Sequence, residues 1–171
     1  MLAIALLALG ITSRLIGHFV THSYNFNPVI AIALFGGFYL SKRYAIILPL
    51  ALMVISDIFI GFHNTIIFTW GSVALIAALG LWARNRKSPM MIFGSTLASA
   101  VIFFVITNFA SWPFLYPLTM DGFIQCYTMA IPFFRMTLAS ALVFSAILFG
   151  TYEFIAYRVK DTRLARVLLS A

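Results

Sequence analysis

Apolar residues fall into long runs along this chain, and short polar stretches separate the runs. A helix that crosses a membrane needs about 20 apolar residues. This criterion predicts six spans, at about Leu2–Phe19, Pro28–Leu40, Tyr44–Phe62, Ile66–Ala83, Pro89–Thr107 and Pro132–Ile155. The pattern therefore predicts an all-α fold, an integral membrane bundle of about six transmembrane helices that forms one domain over residues 1–171.

Two segments depart from this regular pattern. The second span, Pro28–Leu40, has 13 residues, too few to cross a hydrocarbon core about 30 Å thick. It either extends past Ser41 or is a half-helix packed inside the bundle. The aromatic stretch Asn108–Ile131 contains two prolines and a glycine, so it predicts a long outer loop between spans five and six. Such a loop is either a lid or an aromatic belt at the membrane surface.

Composition strengthens the membrane interpretation and excludes several other classes. Hydrophobic residues make up 63% of the chain and charged residues 9%, and the mean hydropathy is +1.05. A soluble domain of this size carries about 25% charged residues, which cover its surface. The composition therefore excludes a soluble enzyme and a nucleic-acid-binding module, and a single cysteine excludes a disulfide-stapled secreted domain.

The net charge of +7 reports orientation rather than a polyanionic partner. Nine of the eleven basic residues follow spans two, four and six: Lys42, Arg43, Arg84, Arg86, Lys87, Arg158, Lys160, Arg163 and Arg166. The positive-inside rule makes this face cytoplasmic, and six spans then leave both termini inside. Basic and apolar residues alternate over 157–169, which predicts a short interfacial helix on the cytoplasmic face.

Most other polar side chains fall near the outer ends of the spans, as in a cup open to the outside. Arg14, Asp57 and Arg135 each lie about 5–8 Å below the outer boundary at 1.5 Å per residue. An ionisable residue inside a membrane predicts a functional site. The structural alternative is that Asp57 pairs with one arginine and ties helices together. One positive charge would then be left for an anionic ligand group or for Asp121.

Further candidates surround this cup. Asn27 and Pro28 suit a helix start, and a helix that begins inside the membrane would direct its free N–H groups at the cup. Asn25 and Asn27 are therefore candidate ligand-binding residues. In the aromatic stretch the candidates are Asn108, Trp112 and Tyr127.

Metal and catalytic chemistry have little support in this sequence. His18 and His22 follow Arg14 at four-residue intervals, and Cys126 is the lone thiol; these three are weak candidates for a metal site. No nucleophile elbow, zinc-protease, phosphate-loop or dinucleotide motif occurs. We therefore expect a protein that is not an enzyme and carries no cofactor.

Several short motifs carry a resemblance that covers nearly the whole chain. They are Asn25-Phe26-Asn27-Pro28-Val29, Ala33-Leu34-Phe35-Gly36-Gly37, Ser56-Asp57, Tyr116-Pro117, Cys126-Tyr127 and Ile131-Pro132-Phe133-Phe134-Arg135. The chain resembles a family of small, uncharacterised bacterial membrane proteins, which implies the inner (cytoplasmic) membrane. That family is similar to the substrate-binding (S) components of energy-coupling-factor vitamin transporters in size, span number and outward cup. S components imply capture of a vitamin or metal-related nutrient, followed by docking on a transmembrane coupling subunit driven by ATPases. Their small-residue A-x-x-x-A docking signature is mis-spaced in the first span here and occurs only at Ala74 and Ala78.

Two functions remain open at this point, and a third, an ion or proton pathway through Asp57 and the histidines, is disfavoured because the inner half offers no polar relay to the cytoplasm. The first is a membrane-embedded protein that binds and takes up a small solute. Its site would consist of Arg14, Asn25, Asn27, Asp57, Asn108, Trp112, Tyr127 and Arg135, with the arginines on a carboxylate or phosphate and the aromatic residues on a ring. The second is an accessory structural subunit of a larger membrane complex, such as an electron-transfer assembly. A binder should show an enclosed outward cavity, whereas a subunit should show Arg14 and Asp57 paired without one.

Overall fold

The computed structural model describes residues 2–23 and 25–159, which form six α-helices joined by short connections. The helices are α1 (Leu2–Phe19), α2 (Val29–Tyr39), α3 (Lys42–Ile60), α4 (Ile66–Ala83), α5 (Pro89–Leu115) and α6 (Met120–Val159), and a 3₁₀ turn, Arg84–Arg86, follows α4. All of them except α2 are long and apolar enough to cross a membrane. The predicted all-α membrane bundle is confirmed, and the predicted bounds of spans one and four agree with the structure.

The bundle has two chemically different ends. The basic end holds the starts of α1, α3 and α5 and carries Lys42, Arg43 and the turn Arg84–Lys87. The polar end holds the ends of α1 and α3, with residues 20–23, 25–28 and 61–65 of the connections. The helices α1, α3 and α4 have 18 or 19 residues each. At 1.5 Å per residue they are about 27–29 Å long, which matches the hydrocarbon thickness of a bilayer.

The short helix α2 lies at the centre of the bundle. All eleven of its residues are buried, and α3, α4, α5 and α6 pack around it. Gly37 of α2 meets Gly80 of α4 so closely that a Cβ on Gly37 would lie 2.4 Å from the carbonyl oxygen of Ala77. Of the two predicted alternatives for this segment, the half-helix inside the bundle is the one the structure shows.

Polar side chains hold the C-terminal end of α2 at the basic end. Arg84 donates a hydrogen bond of 2.8 Å to the carbonyl oxygen of Leu40, one of the groups that a helix end leaves unpaired. The Tyr39 hydroxyl hydrogen-bonds to Glu153 on α6. The Lys87 ammonium lies 3.7 Å from the centre of the Tyr39 ring, and its partial desolvation lowers the pKa of Lys87. The C-terminal end of α2 is therefore capped by side chains of the bundle itself.

The predicted long outer loop is wrong. Helix α5 continues to Leu115 and α6 begins at Met120, so the connection is only 116–119. Pro113 falls in the last turn of α5, where the lost N–H bond is followed by only two more helical residues, and Gly122 falls in the first turn of α6. Pro113, Pro117 and Gly122 are the residues that predicted a loop, and only Pro117 lies in the connection.

The predicted interfacial helix falls largely beyond the part of the chain that the structure covers. Residues 157–159 form the end of α6. Residues 160–169, with Lys160, Arg163 and Arg166, lie outside the described residues.

Candidate functional site

An ion pair between α1 and α3 lies near the polar end of the bundle. Arg14 Nη2 is 2.7 Å from Asp57 Oδ1, and the two side chains are 14% and 1% exposed. This contact is an ion pair, because the N–H groups of Arg14 do not point at Oδ1 with the geometry of a hydrogen bond. Trp70 Nε1, on α4, donates a hydrogen bond of 2.8 Å to the other oxygen, Oδ2. The carboxylate therefore links three helices.

The other edge of the guanidinium is fixed by α3. Arg14 Nη1 donates to Ser56 Oγ and lies 3.2 Å from Met53 Sδ. Ser56 is fully buried, and its hydroxyl hydrogen-bonds to the carbonyl oxygen of Leu52 at 2.7 Å. These contacts hold Arg14 in one orientation, and the small exposed part of its side chain faces a cavity.

This cavity has a volume of about 170 Å³ and lies at the centre of the polar end. All six helices and the connection before α2 contribute to its wall, through Arg14, Asn25, Asn27, Val29, Ile30, Met53, Thr69, Phe103 and Thr137. Two neighbouring cavities share part of this wall. One of about 90 Å³ shares Arg14 and Asn27, and one of about 200 Å³ shares Asn25, Phe103 and Thr137.

The connection before α2 enters the bundle and closes one side of the cavity. The Asn27 side chain accepts a hydrogen bond from the N–H of Val29 at 3.2 Å, and its backbone carbonyl accepts one from Ser140 at 2.6 Å. The Phe26 ring packs on Phe144 of α6, with centroids 5.5 Å apart. Helix α2 begins at Val29, one residue later than predicted, and its first turn faces the cavity. The positive end of the helix dipole is therefore directed there.

The structure changes the predicted charge of the site. Arg14 is neutralised by Asp57, so the pair contributes no net charge to the cavity. Arg135 is exposed on α6 and lies outside the walls of the described cavities. The expected second arginine is thus not in the cavity, and the remaining attraction for negative charge comes from the polarised N–H groups of α2 and from the amides.

Four of the eight predicted site residues lie together: Arg14, Asn25, Asn27 and Asp57. Asn108 lines the neighbouring cavity of about 200 Å³, and its amide donates to the carbonyl oxygen of Phe104 at 2.7 Å. Trp112 and Tyr127 lie in the α5–α6 hairpin outside these cavities. Their polar atoms donate to the carbonyl oxygens of Pro117 and Val105, at 2.9 and 2.8 Å. Neither ring is placed to stack on a molecule in the cavity.

The weak metal candidates are not assembled into a metal site. Helix α1 ends at Phe19, and His22 lies beyond it with a left-handed backbone φ of 53°, so His18 and His22 do not share a helix face. His18 lines the cavity of about 90 Å³, whereas the Cys126 thiol contacts the carbonyl oxygen of Asn108 at 3.4 Å. No group of three or more His, Cys, Asp or Glu side chains suited to a metal occurs within residues 2–23 and 25–159.

Sequence reasoning missed Trp70 and most of the neutral cavity wall. Asp57 lies three residues before the end of α3, and Trp70 lies four residues after the start of α4. In two antiparallel helices these positions are at nearly the same depth, so the pairing of Asp57 with Trp70 was detectable from spacing. Thr69, Phe103 and Thr137 carry no such signal, because threonine and phenylalanine are ordinary residues of membrane helices.

A family model described as a family of unknown function, DUF6580, matches residues 1–164. The chain belongs to DUF6580. The predicted membership of an uncharacterised family is thereby confirmed, and the match covers all six helices, so the ion pair and the cavity lie within the DUF6580 domain. No curated protein and no solved structure matches the chain.

Proposed function

We propose that this DUF6580 protein binds a small polar solute in the cavity at its polar end and acts in uptake of that solute, as S components do. The observation that carries the proposal is a largely buried, ion-paired guanidinium that opens onto a cavity walled by all six helices. Charged and polar groups are costly inside a membrane, and those that persist there commonly mark a substrate path or binding site.

The chemistry of the wall favours a neutral or singly negative solute. The Arg14 guanidinium, the amides of Asn25 and Asn27 and the first turn of α2 can all donate hydrogen bonds. They suit a carboxylate, phosphate or carbonyl oxygen. Since Asp57 neutralises Arg14, a multiply charged anion would lack counterions. Phe103, which also lines the cavity, would contact an apolar part of the solute.

The uptake role rests on orientation and on the resemblance to S components. The polar end would face the outside of a bacterial inner membrane, and the basic end, with Lys42, Arg43 and the turn Arg84–Lys87, would face the cytoplasm. The solute would be captured from outside and released inward after docking on a transmembrane coupling subunit with ATPases. In this role the protein binds its ligand without chemical conversion.

One observation favours the second candidate, an accessory subunit of a larger membrane complex. Asp57 is paired with Arg14 and hydrogen-bonded by Trp70, so the polar cluster already ties α1, α3 and α4 together. In a structural subunit, this link between three helices would be the whole role of the polar cluster. It would contain no bound small molecule and would be purified with a fixed number of partner chains.

Native mass spectrometry of the protein, gently extracted from its own membrane, tests the proposal. Asn25→Leu places an apolar side chain in the wall shared by two cavities, and Arg135→Gln changes an exposed residue outside them. We expect a small molecule retained by the wild type and by Arg135→Gln but lost from Asn25→Leu. A wild-type mass without a small molecule, accompanied by stoichiometric protein partners, would reject solute binding and support the subunit.

A further inference from the structure

Helices α5 and α6 extend well beyond the other helices at the polar end. Thr69, Phe103 and Thr137 line one cavity and therefore lie at a similar depth. From that depth α4 has three more residues to its start at Ile66, whereas α5 has twelve more to Leu115 and α6 has seventeen back to Met120. At 1.5 Å per residue these are about 4.5, 18 and 25 Å. We call the projecting part, Phe109–Met129, the hairpin tip.

The polar atoms of Trp112 and Tyr127 in the hairpin tip are hydrogen-bonded to carbonyl oxygens of the hairpin itself. The Trp112 ring packs edge-on against Phe123 at 5.2 Å, and its N–H bonds to the carbonyl oxygen of Pro117. The Tyr127 hydroxyl donates to the carbonyl oxygen of Val105. Gly122 lets the connection approach closely, because a Cβ there would lie 2.1 Å from the Pro117 oxygen. The two helices of the tip therefore pack on each other through their polar and aromatic residues.

The outer surface of the hairpin tip is mostly apolar. Its exposed large hydrophobic side chains are Phe109, Phe114, Leu115, Leu118, Met120, Ile124 and Met129, and its exposed polar side chains are Thr119, Asp121, Gln125 and Thr128. Asp121 is the single charged residue in this segment, and the segment contains no lysine, arginine or histidine. Hydrogen-bonded polar atoms inside and mostly apolar side chains outside are what a lipid environment requires, whereas a hairpin in water would show the reverse.

We propose that the hairpin tip is inserted into the lipid of the membrane at the polar end, with its mostly apolar outer surface among acyl chains and the adjoining headgroup layer. This surface continues the apolar outer face of the spanning part of α5, where Val101 and Val105 are exposed below Phe109. Helix α6 spans about 60 Å at 1.5 Å per residue, more than tilting alone fits into a core about 30 Å thick. Insertion of the tip therefore requires it to incline along the membrane surface, because a tip continuing along the axis of the spanning helices would project into water.

The contact of the hairpin tip with lipid depends on the burial of apolar side chains rather than on charge. Basic segments bind membranes through their attraction to anionic lipids. The hairpin tip has no basic residue, so its insertion is the same in neutral and in anionic membranes.

Spin-label accessibility in reconstituted vesicles tests this proposal. The native thiol is removed by Cys126→Ala, and a nitroxide is placed at Leu118→Cys or Ile124→Cys. Val101→Cys on the spanning part of α5 is the lipid reference, and Asn64→Cys, in the exposed α3–α4 connection, is the water reference. Collisions with oxygen report lipid, and collisions with a water-soluble nickel chelate report water. Vesicles are of phosphatidylcholine, alone or mixed equally with phosphatidylglycerol.

We expect the oxygen-to-nickel collision ratio at both tip positions to be several-fold higher than at Asn64→Cys and close to that at Val101→Cys, in both kinds of vesicle. A ratio equal to that at Asn64→Cys would place the tip in water and overturn the proposal. Low collision rates with both reagents would show that protein covers the tip, which also overturns it. A high ratio only in the phosphatidylglycerol mixture would show that insertion depends on anionic lipid, which contradicts the proposed apolar contact.

Discussion

Arg14 can remain inside an apolar bundle because its charge is compensated and its donors are used. Asp57 supplies the opposite charge, and Ser56 accepts a hydrogen bond from the other edge of the guanidinium. Trp70 in turn holds the second carboxylate oxygen. An unpaired charge at the same depth would cost several kcal/mol.

Removal of the carboxylate charge should therefore destabilise the fold. In Asp57→Asn, the amide can still accept from Trp70, but Arg14 is left buried without a counterion. We expect a loss of about 3–5 kcal/mol in the free energy of unfolding, seen as a lower melting temperature in detergent. The double variant Arg14→Gln with Asp57→Asn should lose less than the sum of the two single variants, because no charge remains unpaired.

Asp121→Asn provides the matched control, since Asp121 is exposed in the first turn of α6. It should melt within a degree or two of the wild type, as surface substitutions usually do. If Asp57→Asn had the same melting temperature as this control, the ion pair would not hold the helices together.

The sequence predicts part of this site for a definite reason. Counting residues from the span ends places Arg14 and Asp57 at the same depth, and a buried charge requires a partner. The same count places Arg135 at that depth too, so it does not select between the two arginines. The selection depends on which face of α6 turns inward, and Arg135 is on an exposed one.

At the scale of the helices, the contact between α2 and α4 depends on two glycines. A Cβ on Gly37 would lie within 2.4–2.8 Å of backbone atoms of Ala77 and Gly80, which have no room to move. Gly37→Ala should therefore force the helices apart and lower the stability by about 1–3 kcal/mol, measured as a fall in melting temperature.

Gly71→Ala is the comparison for this prediction. Gly71 is also in α4, but no atom lies within 4 Å of the position of an added Cβ. Alanine is the better helix former by about 1 kcal/mol, so this variant should be as stable as the wild type or slightly more stable. Equal melting temperatures for the two variants would refute the close approach of α2 and α4.

The hairpin of α5 and α6 shows where pattern reasoning failed. Prolines, a glycine and many aromatic residues indicate a loop when they are considered separately. In the structure Pro113 and Gly122 are at helix ends, and the aromatic rings of Trp112, Phe123 and Tyr127 pack between the two helices. That packing stabilises helix in a segment whose local signals disfavour it, and it is a tertiary effect that hydropathy does not report.

At the scale of the whole molecule, the central short helix separates two ends of different chemistry. The start of α2 contributes to the polar cavity. At its C-terminal end, Arg84 bonds to the carbonyl oxygen of Leu40, and the last helical residue, Tyr39, contacts Lys87 and Glu153. Five spanning helices around a half-helix leave a cavity lined by Arg14, Asn25 and Asn27 at the polar end, whereas the cavity of about 370 Å³ between α5 and α6 towards the basic end has a mostly apolar wall, with Glu153 at its edge. The sequence predicts this asymmetry through the positions of its charges, but the cavity itself depends on how the helices pack.

The proposed orientation can be measured with a thiol reagent that does not cross membranes. In a Cys126→Ala background, Asn64→Cys lies in the polar-end connection and Ser88→Cys in the basic-end connection, and both positions are exposed. In intact cells we expect labelling of Asn64→Cys and none of Ser88→Cys until the cells are opened. The reverse pattern would place the basic end outside, against the positive-inside rule.

A density map of the protein purified from its own membrane is the decisive test of solute binding. We expect non-protein density in the cavity, within hydrogen-bonding distance of Arg14 and of Asn25 or Asn27, while Arg14 keeps its contact with Asp57. A cavity filled by side chains, with Arg14 and Asp57 paired and no space beside them, would contradict solute binding and leave the polar cluster a structural role alone.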